Sequence, residues 1–309
     1  MKYRKKIAFL FALLAIASYL SFLTSNHQSE VVKVSNERLD YLPVYLLDQD
    51  DLLIPLSIPI ENDLTWNQKI EHMFAYLSGK QQIKGYKPLF QKALQPVKIA
   101  LKQNILHLYF DQNFLNYDES LELSVLEAIV YSATALKEVN EVKLYYQNEL
   151  LAYMPKTRIK LQEHLTRKIG INHFESIASL HDSYMVTMYY KKDDKIVAKS
   201  IRVNEMIDSV EKYIKYLLKD ISISSLLSQP LVKNEILINE VSCNQQVCSI
   251  DVNHNMLDSD QSIKDDLLMI LKIALKDQGI KQIKLKVNGK LVKDENIDQN
   301  MIYNVVDFE

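Results

Sequence analysis

The feature that most constrains this 309-residue chain is that most of it is written twice, at a nearly constant offset. Val44, in the strand-like run Pro43–Leu47, recurs as Val186 in Met185–Tyr189, 142 residues further on. Leu108–Leu115 recurs as Ile250–Leu257 at the same offset, and Lys143–Leu150 matches Lys284–Leu291 at 141. A period of this length is that of a domain, far beyond the roughly 20–50 residues of a solenoid repeat. Hydrophobic pattern, helix position and turn position recur, while no reactive side chain does. The expectation is a scaffold copied for its surface.

The length suits a membrane segment and two domains, each able to bury a core. Charged residues at 25% and hydrophobic ones at 48% are globular proportions. The five glycines, at 79, 85, 170, 279 and 289, form neither a GxGxxG nor a GxxxxGK[ST] spacing, which argues against nucleotide chemistry. Residues 1–6 carry Lys2, Arg4, Lys5 and Lys6 and no acid, and an apolar run follows from Ile7 to Leu23. A basic flank before an apolar run is an inside-positive targeting segment. It reads either as an uncleaved anchor through residues 7–23 or as a leader cut at Ala15-Ile16-Ala17, and both put the remainder outside the cytoplasm. Without those four basic residues the 37 fall to 33 against 39 acids, a net charge of −6. Nucleic-acid binding needs a clustered basic face and is not expected.

The periodicity gives the organisation. Strands are expected near Val44–Asp48 and Leu53–Ile58, then a helix capped by Thr65 with Ile70, Met73, Phe74 and Leu77 on its buried face. Strands at Val97–Leu101 and Ile105–Phe110, a helix over Glu119–Lys137, a strand at Glu141–Tyr146 and a partner at Leu150–Tyr153 complete the first copy. The second copy repeats this with helices at Asn204–Leu218 and Gln261–Lys276, strands at Glu235–Val241, Val247–Val252 and Gln282–Val287, and a hairpin turn at Asn288-Gly289. The fold class expected is α+β: an N-terminal membrane segment followed by two tandem small α+β domains with a helix-strand-strand-helix-strand core. The boundaries are 1–25 for the membrane segment, 26–42 for a tether, 43–153 and 184–292 for the domains. A basic linker, partly helical at Leu161–Lys168, fills 154–183, and the tail 293–309 folds back onto a domain.

These residues resemble the GerMN domain family of spore-germination and sporulation proteins in endospore-forming bacteria. Ile105–Leu115 is similar to the family's strand with Asp111 and Phe114 after it. Ile129-Val130-Tyr131-Ser132-Ala133-Thr134 is similar to its helix end, and Val287-Asn288-Gly289 to its closing strand and turn. The resemblance covers 43–153 and 185–292. It implies a fold like the ring-building domains of secretion and sporulation channels, and a part in assembling an envelope complex between mother cell and developing spore. Two features depart from the pattern. No cysteine follows the leader to carry a lipid, and the second copy has Ile273-Ala274-Leu275 where the threonine-rich stretch belongs.

Little chemistry stands out beside this. Cys243 and Cys248 are the only cysteines. A two-residue turn at Gln245-Gln246 would set them directly opposite each other, with Cα atoms about 4.5 Å apart, as a disulfide, as two buried thiols or as a metal or redox pair. Gln-Gln is a poor pair for a primed turn. The histidines at 27, 72, 107, 164, 173, 181 and 254 show no metal-ligand spacing, although three share the linker. Asp111 and Asp251 read as equivalent strand ends where an aspartate turns the chain. Glu122 and Glu127 read as a solvated helix face. No GxSxG or SxxK occurs. No catalytic residue, cofactor or metal is therefore expected. With the family resemblance, this implies a non-enzymatic extracytoplasmic assembly protein whose partners are envelope or sporulation membrane proteins, or further copies of itself. The alternative is a module binding peptidoglycan or a small germinant in the cleft between the domains.

Overall fold

The computed structural model describes residues 40–173, 184–220, 234–258 and 260–307. The anchor or leader, most of the tether, His27 and His181 lie outside the described residues. Among the described residues no helix is long and apolar enough to cross a membrane. The described residues form one compact unit.

Each copy begins with an antiparallel hairpin. In the first, β1 (Asp40–Leu47) pairs with β2 (Leu53–Ile60). Helix α1 (Trp66–Leu77) follows, with Thr65 and Gln68 closing a reciprocal capping box at its start. A four-stranded sheet is then built from β3 (Lys98–Lys102), β4 (Ile105–Phe110), β5 (Glu141–Tyr146) and β6 (Glu149–Leu150), in that order. β4 and β5 are parallel because α2 (Glu122–Ala133) crosses between them, and the other pairs are antiparallel. The second copy has β7 (Tyr184–Lys192) with β8 (Lys195–Val203), then α3 (Val210–Asp220). Its sheet is β9 (Ile238–Cys243), β10 (Val247–Val252), β11 (Gln282–Val287) and β12 (Lys290–Asn296), with α4 (Asp265–Asp277) joining the parallel pair β10 and β11.

The expected order of elements is present, with shorter helices. The stretch expected as one helix over 119–137 opens with a 3-10 turn at Glu119–Leu121 before α2 begins, because Asp118 caps the Ser120 amide and starts a separate turn. The helices expected at 204–218 and 261–276 begin later, at Val210 and Asp265. Of Leu161–Lys168 only the end is helical, in a 3-10 turn over Arg167–Ile169. Leu165 pairs in extended form with Val142 at the edge of β5, and Tyr153 pairs with Lys160. Both copies close on a turn with two left-handed residues, Gln147-Asn148 and Asn288-Gly289. Asparagine at that position makes the first turn feasible without glycine.

A third layer is the main architectural finding. In the first copy α2 lies between the hairpin and the sheet and is buried along nearly its whole length from Val125 to Ala133. Phe74, Phe110, Phe114 and Tyr117 fill the space beneath α1 and α2 with edge-to-face and stacked contacts. A helix in the middle of three layers has no solvated face, so Glu122 (0% exposed) and Glu127 (2%) are interior residues, contrary to the amphipathic expectation.

Candidate functional site

Among the buried polar residues of the described chain, Ser57, Asn172 and Ser200 come together where the two copies meet. Along β2 the residues whose backbone faces away from β1 share the parity of Leu53, Pro55, Ser57 and Pro59. Pro55 and Pro59 have no N–H to offer, a common way of blunting a strand edge. The remaining two donors are both taken. Leu53 N–H donates to the side-chain oxygen of Asn172 at 2.8 Å, and Ser57 N–H donates to the Asn304 carbonyl at 3.1 Å.

Asn172 and Asn304 play the same part at the ends of the two copies. The Asn172 amide returns a hydrogen bond to the Leu53 carbonyl (2.9 Å) and donates to the Ala198 carbonyl of β8 (2.8 Å). The Asn304 side chain accepts from Ile196 N–H and donates to the Ile196 carbonyl (2.8 Å each), and donates to the Pro55 carbonyl of β2 (2.7 Å). Each asparagine thus satisfies both backbone groups of a residue on one hairpin and a carbonyl on the other. Each has a left-handed backbone, φ +52° and +53°, a region asparagine tolerates better than most residues. Two serines complete the parallel. Ser200 Oγ accepts from Ile171 N–H, and Ser200 N–H donates to the Ile171 carbonyl. Ser57 Oγ donates to the Tyr303 carbonyl, and the Ser57 carbonyl accepts from Val306. The C-terminal segment of each copy therefore docks on the hairpin of the other. The tail folds back as expected, and it does so onto the first copy.

Around this seam lies a cluster of tyrosines with one arginine. Arg167 stacks over the Tyr131 ring at 5.1 Å, reaches Thr134 Oγ1 at 3.1 Å, and stands 3.8 Å from Asp277 at the end of α4. Tyr131 donates to the Arg167 carbonyl at 3.0 Å, Tyr189 donates to Asp277, and the Tyr45 N–H donates to Ser132 Oγ at 2.9 Å. Tyr131, Ser132 and Thr134 belong to the stretch that carries the family resemblance, and here they hold the hairpin and the linker. Burial first, then Asp277, pushes the Tyr189 hydroxyl well above its ordinary value, so it donates rather than ionises. At the rim, Lys192 joins Asp48 (2.6 Å) and Asp50 (2.5 Å) across the two hairpin turns.

The two buried glutamates anchor the segment that leads into the seam. Glu122 accepts from Tyr117 OH (2.5 Å), Lys156 N–H (2.8 Å), Thr157 N–H (2.5 Å) and the Thr157 hydroxyl. Burial pushes its carboxyl up, and the donors from Thr157, Tyr117 and Lys156 more than offset this, leaving it below its ordinary value. Glu127 accepts from Asn172 N–H at 3.0 Å and faces His173 at 3.0 Å, and burial dominates there, raising its carboxyl. Gly170 is required nearby. With φ +86°, a Cβ there would lie 2.3 Å from the Met185 sulfur.

The other candidates fall elsewhere. Asp111 caps a 3-10 turn by accepting from Asn113 N–H, as expected. Its counterpart is Asn253, which caps the equivalent turn, and not Asp251, which sits within β10 and accepts from Gly289 N–H. His107 packs on Tyr145 on the outer sheet face of the first copy, and His164 pairs with Glu141. Among the described residues no group of three His, Cys, Asp or Glu could hold a metal ion. Of the basic linker residues, Lys156 lies over Tyr117, Arg158 over Tyr153 and Arg167 in the seam, so three of them are used internally.

Cys243 and Cys248 are directly opposite in the β9–β10 ladder, Cα atoms 4.1 Å apart and sulfurs within bonding distance. Gln245 and Gln246 need no left-handed backbone, because Asn244 Oδ1 accepts from both Gln246 and Val247 N–H and holds the turn itself. Reduction of the purified chain is expected to release two thiols that no alkylating reagent labels beforehand. Replacing both cysteines by serine should cost no more than about 2 kcal/mol, since the closed loop is short.

The outer sheet faces have diverged between copies. In the first, Lys98, Tyr109, Tyr145 and Leu150 form one cross-strand row, with the two tyrosine rings stacked 4.3 Å apart and Lys98 over Tyr109. In the second, the corresponding row is Glu240, Asp251, Lys286 and Leu291.

Residues 43–151 match the family described as Germane, sporulation and spore germination. The chain is 22% identical over 285 residues to the spore germination protein GerM of Bacillus subtilis, covering 86% of this chain and 77% of that one. It is also similar to the solved tandem GerMN domains of the B. subtilis sporulation protein GerM. The TM-score is 0.73 at 17% identity, with 86% of this chain and 99% of that one covered.

Proposed function

We propose, from the premise that this is a GerM-like protein with two tandem GerMN domains, that it acts as a non-enzymatic assembly protein of the sporulation or germination envelope. Residues 7–23 would hold it to the membrane with both domains outside the cytoplasm. The observation that carries this reading is the similarity to a spore germination protein over 86% of the chain, across both copies. The structure adds support of a physical kind. The buried polar side chains of the seam bond to one another and to backbone, as in a scaffold that fixes the relation of two domains. The first copy also offers a tyrosine and lysine row that its twin lacks, which favours a partner read by one copy only.

A glycan or germinant held between the domains has less support, because Asn172, Asn304 and the tyrosine cluster fill that space. A shallow groove of about 340 Å³, lined by Glu71, His72, Lys80 and Gln95, lies instead on the first copy. Crosslinked affinity purification of the full-length chain from its own host, through growth and spore formation, tests the proposal. Sporulation-membrane proteins should be recovered, with the yield reduced at least fivefold by Tyr109→Ala with Tyr145→Ala. Recovery of wall glycan alone, or of no envelope protein during spore formation, would overturn it.

A further inference from the structure

We propose that the groove between β2 and β8 also receives residues 301–307 of a second copy, so that chains join by exchanging tails. The fit is already displayed within one chain, where the two copies are joined by docking the C-terminal segment of each on the hairpin of the other. A second chain offers an identical segment to an identical groove. With Pro55 and Pro59 removing two donors from the β2 edge, the groove accepts one kind of strand. It needs a carbonyl for Ser57 N–H, an N–H for the Ser57 carbonyl, and a primary amide that serves Pro55 and Ile196 together. Asn304 and Val306 supply these, and the Tyr303 carbonyl accepts from the Ser57 hydroxyl.

The tail is also placed to leave. Ile297 is buried and its N–H donates to the Lys281 carbonyl at 2.7 Å, which fixes the end of β12. The next residues, Asp298–Met301, form a turn in which Asp298 accepts from Asn300 and Met301. Beyond that turn most of the tail's hydrogen bonds run to the hairpins rather than to its own sheet, and Ile302 and Val305 keep 40% and 38% of their surface exposed. A strand-like terminal segment behind a short hinge is the arrangement from which identical chains exchange elements at little cost. Within one chain the hinge keeps the tail at an effective concentration of roughly millimolar. Exchange therefore wins where copies are crowded, as on a membrane surface.

The inference rests on the geometry of the seam and not on a sporulation role, and its test uses the purified full-length chain in detergent, so either can fail alone. Asn304→Ala disables the tail and leaves the groove intact. Ser57→Pro adds a third proline to the edge, removes the receiving N–H and leaves the tail intact. Each variant should self-associate no more than the parent, and an equal mixture should form a heterodimer at least tenfold tighter than either alone. Mixtures that stay monomeric while both variants keep their folded spectra and melting transitions overturn the proposal. Should either variant fail to fold, oxidation of mixed Ser57→Cys and Val305→Cys chains reads the same contact. These two positions face each other in the seam. A crosslinked pair that grows with concentration supports exchange, and its absence at every concentration overturns it.

Discussion

Glu122→Ala is expected to lower the stability of the folded chain by about 3 kcal/mol, since hydrogen bonds to a charged group are each worth about 1.5–3 and do not add fully. For a body of this size that is a fall in Tm of roughly 6–12 °C. The substitution strands Tyr117 OH, two backbone N–H groups and the Thr157 hydroxyl around an emptied site. Glu122→Gln is expected to do little better, because every neighbour of the carboxylate is a donor and an amide nitrogen would face one of them. The pH dependence follows from the direction of the shift. The Glu122 carboxyl is held below its ordinary value, so its contribution is full above the unfolded pKa of about 4.3 and is lost as pH falls through the folded value. The Tm of the parent should therefore drop more steeply in acid than that of Glu122→Gln. Thermal melts of both from neutral pH to about pH 3 check this, and parallel curves would reject the role given to Glu122.

Asn172→Ala should have the next largest effect, about 3 kcal/mol, with unpaired buried groups costing about 1–3 each. It leaves both backbone groups of Leu53 and the Ala198 carbonyl without a partner. Asn172→Asp should be at least as damaging. A carboxylate can still accept from Leu53 N–H, but it cannot donate to either carbonyl, and it brings a second buried charge beside Glu127. The effect should be local to the seam. Hydrogen exchange at Leu53 and Ser200 is expected to accelerate, while amides in the β4–β5 ladder keep their protection relative to the lowered global stability. Uniform acceleration in proportion to that lowering would mean that Asn172 contributes only to general packing.

What could be read from the sequence were the elements whose signal is local. Thr65 capping α1, the alternation in Ile105–Phe110, and Asn288-Gly289 at the closing turn each depend on residues within a few positions. The misread residues are those whose partners lie far along the chain. Glu122 and Glu127 sit at helical positions that look solvated until a hairpin and a returning linker cover them, and their donors come from Thr157 and Asn172. Asp251 resembles Asp111 in residue type alone, whereas the 142-residue offset pairs Asp111 with Asn253. One sequence signal bore on the seam. Prolines four apart in Leu53–Ile60, on the same side of the strand, mark an edge that has to be guarded. The asparagines that guard it carry no signal of their own, since an asparagine in a loop most often serves only its own turn.

The reciprocal docking of the two copies has a consequence for genetics. A nonsense allele that ends translation between the copies would yield more than a half-active protein. It would leave Ser57 N–H and the Pro55 carbonyl exposed on a strand with nothing to cover them, and such edges recruit other chains. Early and late stop codons in this gene should accordingly behave differently, the first as simple loss, the second as a source of sticky fragments that interfere with the intact product in a merodiploid.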